Sequence, residues 1–537
     1  MRLSFPYLCY MRRMNLVVAA LCICTCLRAE IVPDRNEIDF GVVLAHTLDS
    51  EKIILRNTGS LPAEIVSIKL YAPEFHVKDS IFTISGGDSH SLYVYFMPKH
   101  NIVHTTGLIV LGKAEAGNAV VNLSGQGRYA DMYYISTENL SEEALKNALK
   151  KLISGHRSLG YTKARDTMYA IIDNEGGIVE CVYTGRKATF STRAGAVDNN
   201  FNTEHTYPQS FFAEAEPMRS DLFHLYPTDE TANSIRSNHP FGVVASASWS
   251  NGGSKSNGSR FEPRDVHKGD AARALFYFVI RYQDYSNFVR QQESILRQWA
   301  VTDMPDTTEE ARNDAIYIYQ KNRNPFIDHP EFLERIQSIC STSVAPVVIS
   351  YDVPVYEVFL ENVQKPGSVI YLLPVVNQGT LPLYITQATF DFQNSFSLLD
   401  VTDTIAPGKA GWIQFQYRSS ATEMYGPMLY FKTLQGSEVS HDSILIHVGS
   451  QHSSIPEQQI SPVTLYPNPA GTWITIDGIS GEGTYSLMVV DAHGRLMMLE
   501  NNVLDNTRLS VSALPQGIYW LVLRNEEGEV VKQFIRE

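Results

Sequence analysis

The spacing of apolar residues changes character twice along this chain, which limits it to several separately folded units. From Ile31 to about Tyr129 the apolar residues fall in short alternating runs, Ile53–Leu55, Ile65–Leu70, Leu92–Phe96 and Val120–Leu123. Turn residues divide them, among them Asn57-Thr58-Gly59 and the pair Gly125 and Gly127. Strands at that spacing predict an all-β sandwich. Residues 345–450 repeat the pattern in diverged form. Asn377-Gln378-Gly379 echoes the Asn-Thr-Gly turn, Ile405–Gly408 echoes Ile84–Gly87, and Trp412–Tyr417 alternates like a strand. Between the two copies the period turns helical. Ser141–Ile153 has a capping serine with Leu145, Leu149 and Leu152 at helical spacing, and Asp270–Tyr282 and Pro330–Cys340 are further helix candidates. A chain of 537 residues exceeds what one hydrophobic core serves, so three or more domains are expected. The helix-rich island is the place to look for chemistry.

The formal charge of −14 argues against a protein that coats nucleic acid, and residues 131–340 are not basic overall either. An enzyme that meets a polyanion in one cleft stays open, provided a local cationic patch and a bound metal do the work. At the start, Arg12 and Arg13, the mostly apolar run Asn15–Leu27 and the small Ala29 read as an export signal over 1–29. The competing reading is a buried N-terminal helix. No later run is longer, so no membrane span is expected once the signal is removed. A lipoprotein reading is weaker, because Leu21, Ile23 and Thr25 precede the signal cysteines. Removal of the signal leaves Cys181 and Cys340, which fit no zinc spacing and either pair after export or stay as inert thiols.

Three blocks in the island follow one another: Asn202-Thr203-Glu204-His205-Thr206-Tyr207-Pro208, Asp221–Asp229, and Asn233-Ser234-Ile235-Arg236-Ser237-Asn238. A lone Glu-His pair means little, but this set is harder to dismiss. A histidine beside a carboxylate at the end of an extended stretch joins a base to a hard oxygen ligand. Pro227-Thr228-Asp229 then predicts a helix start, with Thr or Asp as the cap. Asn233 and Arg236 would stand three apart on one face of that helix. Hydrolysis of a phosphodiester needs such a set: a base for water, a cation against the developing charge, and oxygen ligands for the cation. Mg²⁺ favours few protein oxygens plus water and substrate phosphate.

These blocks resemble endonuclease I, a secreted or periplasmic nuclease of the His-Me finger (ββα-metal) superfamily. The resemblance runs through most of 131–340. It includes Tyr183-Thr184-Gly185, Phe261-Glu262-Pro263-Arg264-Asp265, Lys268–Ala274, Glu310-Ala311-Arg312-Asn313 and Gln320–Asp328. It implies that His205 is the general base and that Glu204 and Asn233 ligate one Mg²⁺, with Mn²⁺ or Ca²⁺ as substitutes. It implies DNA as substrate, RNA as a second one, and 5′-phosphate ends. Arg236, grouped with the catalytic residues, matches a motif arginine that serves either as a phosphate contact or as a structural ion pair. Asp221 and Asn238 match the pattern as structural residues. Glu262, Lys268 and Arg273 read as a salt-bridged start to a core helix or as DNA contacts. The family usually has His where this chain has Phe223; if that His orients a metal ligand, its replacement weakens or reorders the metal site, and if it only packs, nothing changes.

Around the island, Phe40-Gly41, Asn57-Thr58-Gly59, Phe96-Met97-Pro98 and Leu123–Gly127 resemble immunoglobulin-like modules of bacterial surface and cilium-associated proteins. The tail carries Leu465-Tyr466-Pro467-Asn468-Pro469-Ala470, strands at Trp473–Ile476 and Tyr485–Asp491, Leu514–Tyr519 and Val530–Phe534. It resembles the C-terminal sorting domain of the type IX secretion system, which implies that machinery as a partner. The expected architecture is a multidomain chain: signal 1–29, immunoglobulin-like β-sandwich 30–129, α+β nuclease with a ββα-metal core 131–340, second sandwich 345–450, and β-sandwich sorting domain 460–537. The expected destination is secretion, or attachment at the cell surface, by way of the periplasm. The competing function is a surface adhesin whose nuclease-like domain has lost activity. Phe223 and the two sandwiches motivate it, and the presence of Glu204, His205 and Asn233 weighs against it.

Overall fold

Alternation along the first strands builds two sheets that face each other. The computed structural model describes residues 29–537 apart from 114–115, 361–362, 364–366, 392–393, 420–426, 449–462, 480–484, 492–495 and 526–527. The expected export segment 1–29 lies outside the described residues except for Ala29. The N-terminal unit comprises β1 (Ile31–Pro33), β2 (Glu37–Leu44), β3 (Asp49–Asn57), β4 (Ala63–Lys69), β5 (Phe75–Val77), β6 (Phe82–Ile84), β7 (Ser89–Phe96), β8 (Val103–Gly112) and β9 (Asn118–Arg128). One sheet has the order β1-β3-β7-β5 and the other β2-β9-β8-β4-β6, with β2 and β9 parallel. Ile53 and Leu55 of β3 and Leu92, Val94 and Phe96 of the adjacent β7 form one wall of the core, Ile65, Leu108, Val110, Val121 and Leu123 of the second sheet form the other, and the core also holds Phe40 and Phe75. Burying each such side chain contributes about 1.5–3 kcal/mol.

The second sandwich, Tyr351–Val448, repeats this topology strand for strand, down to one parallel pair at the corresponding place. The turn that signalled the duplication explains itself. Asn57 Nδ2 donates to the carbonyls of Leu61 (2.7 Å) and Ile84 (3.0 Å), and its Oδ1 accepts from Gly59 N (3.0 Å). Asn377 does the same with Leu381 (2.9 Å), Ile405 (2.8 Å) and Gly379 (2.9 Å). A buried amide that satisfies three backbone groups fixes the corner of each sandwich. The two sandwiches also pack on each other. Ile109, Leu111 and Val120 meet Val376 and Ala410, while Asn122 exchanges two hydrogen bonds with the backbone of Ala410 (3.0 and 2.8 Å).

The central unit has its own core. In chain order come α1 (Glu142–Ile153), α2 (Tyr161–Thr167), the hairpin β10 (Ile178–Glu180) and β11 (Lys187–Thr189), α3 (Arg193–Asp198), β12 (Phe201–His205), β13 (Leu225–Asp229) and α4 (Glu230–Arg236). A small sheet of β14 (Trp249–Asn251), β15 (Ser254–Ser256) and β16 (Phe261–Glu262) precedes α5 (Lys268–Arg281), α6 (Asn287–Arg290), α7 (Glu293–Thr302) and α8 (Thr307–Gln320). From Ala271 to Ile280 α5 is buried on every side, as a long apolar run at helical spacing must be, with Arg273 within it held by an ion pair to Glu309. α1 buries Leu145 and Leu149, although Ser141 makes no side-chain cap hydrogen bond.

Pro330–Cys340 departs from the expected helix. Only Pro330–Arg335 coils, as a 3-10 turn. Beyond it, Glu142 accepts from Gln337 N (2.8 Å), and Glu293 accepts from Ile339 N (2.6 Å) and Cys340 N (3.3 Å). Side chains distant in sequence thus satisfy the backbone donors that a helix would have used. Cys181 and Cys340 do not pair; both are free and buried. The tail forms a three-stranded and a four-stranded sheet over a core that includes Ile474, Leu487, Val489, Leu521 and Phe534. Among the described residues no helix is long and apolar enough to cross a membrane.

Candidate active site

β12 and β13 pair antiparallel, with Phe201 opposite Asp229, Glu204 opposite Tyr226 and His205 opposite Leu225. The ribbon runs directly into α4, giving a ββα unit. Asp229 starts the helix, its Oδ1 accepting from Thr231 N (3.0 Å) and Ala232 N (3.4 Å). The same turn is tied down from below, because the buried Cys181 sulfur accepts from Asp229 N (3.0 Å).

Successive side chains of a strand point to opposite faces, so Glu204 and His205 leave β12 on different sides. On the α4 side, Asn233 Nδ2 donates to Asn202 Oδ1 (2.7 Å) and to the Thr203 carbonyl (3.3 Å). Glu204, 1% exposed, accepts at Oε1 from the Tyr183 hydroxyl (2.7 Å). Arg236 Nε stands 3.3 Å from the same oxygen but makes no hydrogen bond, so the two meet as charges only. Arg236 is itself 1% exposed and donates to the carbonyls of Thr206 (2.6 Å) and Ser237 (2.9 Å). Burial and the neighbouring Glu204 drive the Tyr183 hydroxyl well above its usual range, so it stays a donor.

The donor set suits a hard divalent cation. The Tyr183 and Arg236 contacts of Glu204 are both at Oε1, and the hydrogen bonds of Asn233 are made through Nδ2. That leaves Glu204 Oε2 and Asn233 Oδ1, the ligand types and low ligand number that Mg²⁺ accepts while keeping its waters. Among the described residues no three His, Cys, Asp or Glu side chains form a metal-holding group, as expected where the second donor is an amide.

On the opposite face His205, 6% exposed, points Nε2 at the Arg219 carbonyl (3.2 Å). A carbonyl only accepts, so the proton sits on Nε2 and Nδ1 carries the free lone pair. Burial, then His224 and the Arg219 and Arg165 guanidiniums, hold this imidazole well below its usual range, against the opposing pull of the carbonyl. His205 is therefore a neutral proton acceptor at neutral pH. His224 packs beside it (ring centroids 5.5 Å) and donates to the Met218 carbonyl (2.6 Å).

The remaining expected residues fall outside this pair of faces. Phe223 is buried against Tyr277 (4.6 Å). Asp221 accepts from Tyr277 (2.9 Å), Tyr282 (3.0 Å) and Gln320 (3.1 Å). Burial alone would raise its carboxyl, but His156, His224 and these donors bring it below the usual range. Asn238 donates to Ser210 (3.0 Å). Lys268 is held by Glu262 (2.8 Å) and Asp265 (2.7 Å), and Arg273 by Glu309 (2.5 Å), at the start of α5. Tyr183, Asn202, Tyr161, Arg165 and Arg219 reach the site without having carried an expected role in the sequence. Tyr161 and Arg165 stand four apart on α2, a spacing that signals one helix face.

A model of the endonuclease I family matches residues 141–331. An extracellular ribonuclease of Bacillus amyloliquefaciens is 32% identical over 243 residues, which cover 41% of this chain and 82% of that protein. The chain belongs to the endonuclease I family. The extracellular ribonuclease of Bacillus subtilis is also 32% identical, over 227 residues, 38% of this chain and 78% of the relative. A secretion-system C-terminal sorting domain matches 464–537, and an immunoglobulin-like domain of the HYDIN/CFA65/VesB type matches 29–126. The PapD-like domain 7 of human CEP192 is 11% identical with a TM-score of 0.18, covering 24% of this chain and all of that domain, too slight a likeness to argue from. This endonuclease I homologue is thus a nuclease built between β-sandwiches. Its type IX sorting tail and its extracellular relatives make it a secreted or cell-surface protein.

Proposed function

We propose that the protein hydrolyses phosphodiester bonds of DNA and RNA without sequence preference, using one divalent cation, Mg²⁺ in the first instance. The observation that carries this is the ββα unit that presents Glu204 and Asn233 on one face of β12 and a neutral His205 on the other. His205 Nδ1 takes a proton from the attacking water. Glu204 and Asn233 would hold the cation, which when bound offsets charge on the phosphorane and the leaving oxygen. In-line displacement at phosphorus wants the base and the leaving-group side apart, which a strand supplies by alternation. Tyr183 and Arg236 fix the Glu204 carboxylate; the burial of Arg236 favours this positioning role over a phosphate contact. Attack by water needs no 2′-hydroxyl, so the sugar does not decide the chemistry. The relatives named as ribonucleases support RNA as a substrate beside DNA. Zymograms on DNA and on RNA, each with Mg²⁺ and with EDTA, test this. Clearing of both gels in Mg²⁺ alone is expected; no clearing of either would favour the inactive adhesin.

A further inference from the structure

Beside His205 lies a cationic stack with no role so far. The Tyr161 ring, 5.5 Å from the His205 ring, carries the Arg165 guanidinium at 4.1 Å and that of Arg219 at 4.3 Å. With two guanidiniums on it, the tyrosine ring holds the cations. Arg219 is neutralised by Glu214 (2.7 Å) and supplies the carbonyl that orients His205. Arg165 has no such partner. Among the described residues it makes no hydrogen bond and no ion pair, and its Nε is buried and unsatisfied. The nearby acids are engaged elsewhere: Asp166 with Arg193 (2.5 Å), Asp173 with Arg312 (2.7 Å), and Glu216 with Tyr161 N (3.0 Å) and Ser220. A part-buried guanidinium with unmet donors calls for an anion, and its fork of N–H groups matches a phosphate.

We propose that Arg165, stacked with Arg219 on the Tyr161 ring, receives a phosphate of the bound nucleic-acid strand next to the one hydrolysed. The assignment rests on the nuclease reading above. It makes Arg165 a substrate-positioning residue and a local cationic contact of the kind a chain of net charge −14 needs to meet a polyanion.

The test is binding without turnover. The mature full chain, in EDTA, is titrated against a fluorescein-labelled single-stranded DNA 12-mer, read by anisotropy over a series of salt concentrations. For Arg165→Gln the Kd should rise about tenfold, equally for T-rich and purine-rich strands, and the slope of log K against log salt should fall by about 0.7, one phosphate contact. Should the Gln variant lose its cooperative unfolding transition, Arg165→Met, which keeps the stem over Tyr161, carries the same expectations. Parental Kd and salt slope in a folded variant would overturn the assignment while leaving the nuclease reading intact. A parent chain that binds no strand would remove both. Titration with inorganic phosphate alone separates two sources of one chemistry. Tight phosphate binding that the variant loses, with strand binding unaltered, would assign Arg165 to free phosphate and overturn the proposal.

Discussion

His205 shows how position sets chemistry at the scale of one side chain. Its neutrality comes from burial and cationic neighbours, and its tautomer from the Arg219 carbonyl. Because the folded state holds its pKa below the ordinary value of about 6.5, the base stays unprotonated through neutral pH and is lost only on the acid side. Cleavage at saturating Mg²⁺ should therefore be flat around pH 7 and half-maximal below about pH 6.5; a midpoint above pH 7 would contradict this. On the other face the expected failure is different. Glu204→Ala should raise the Mg²⁺ concentration for half-maximal cleavage, and Asn233→Ala should do so more mildly, since an amide attracts a cation less than a carboxylate. Metal titrations of the two variants check the order. Glu204, His205, Asn233 and Arg236 were legible as a set because sequence order and helical spacing place them on one ββα unit. The Tyr161 stack was not, since Arg219 reaches it from the short 3-10 turn Met218–Ser220, which is too brief to show a period.

Elements hold these side chains through contacts the sequence shows only as motif residues. Arg312 on α8 donates to Asp173 (2.7 Å) and to the carbonyls of Leu222 (3.1 Å) and Leu225 (2.6 Å), so it clamps the entry to β13. Arg312→Met leaves the part-buried Asp173 carboxylate and two carbonyls unpaired and should cost about 3 kcal/mol, read from urea unfolding of the nuclease unit. Asp229→Ala removes the cap of α4 and should cost about 1 kcal/mol in the same assay. An unchanged midpoint in either would place the support of the ββα unit elsewhere. Helices with a strong apolar period, such as α5, were readable to within a few residues. The stretch after Arg335 was not, because Glu142 and Glu293, distant in sequence, decide its backbone.

At the scale of the whole chain, the nuclease is inserted between two sandwiches that share one topology and contact each other. The repeat was visible in two Asn-x-Gly turns, each fixed by the same three hydrogen bonds, two donated by the asparagine and one accepted by it. The docking of the sandwiches was invisible, since Ile109, Val120 and Ala410 read like any strand residue until Asn122 binds the backbone of Ala410. The sorting tail is a separate sheet pair with its own core. Deleting 460–537 should leave an active nuclease inside the cell, measured by fractionation and zymography; normal appearance in the medium would contradict that role for the tail.

The central claim is that His205 moves the proton while the opposite face holds the cation. Single-turnover cleavage of a labelled strand by His205→Ala at saturating Mg²⁺ tests it most directly. The account predicts a rate about 10²–10⁴-fold below the parent that further Mg²⁺ does not restore, with strand binding retained. Cleavage by His205→Ala at the parental rate would contradict it.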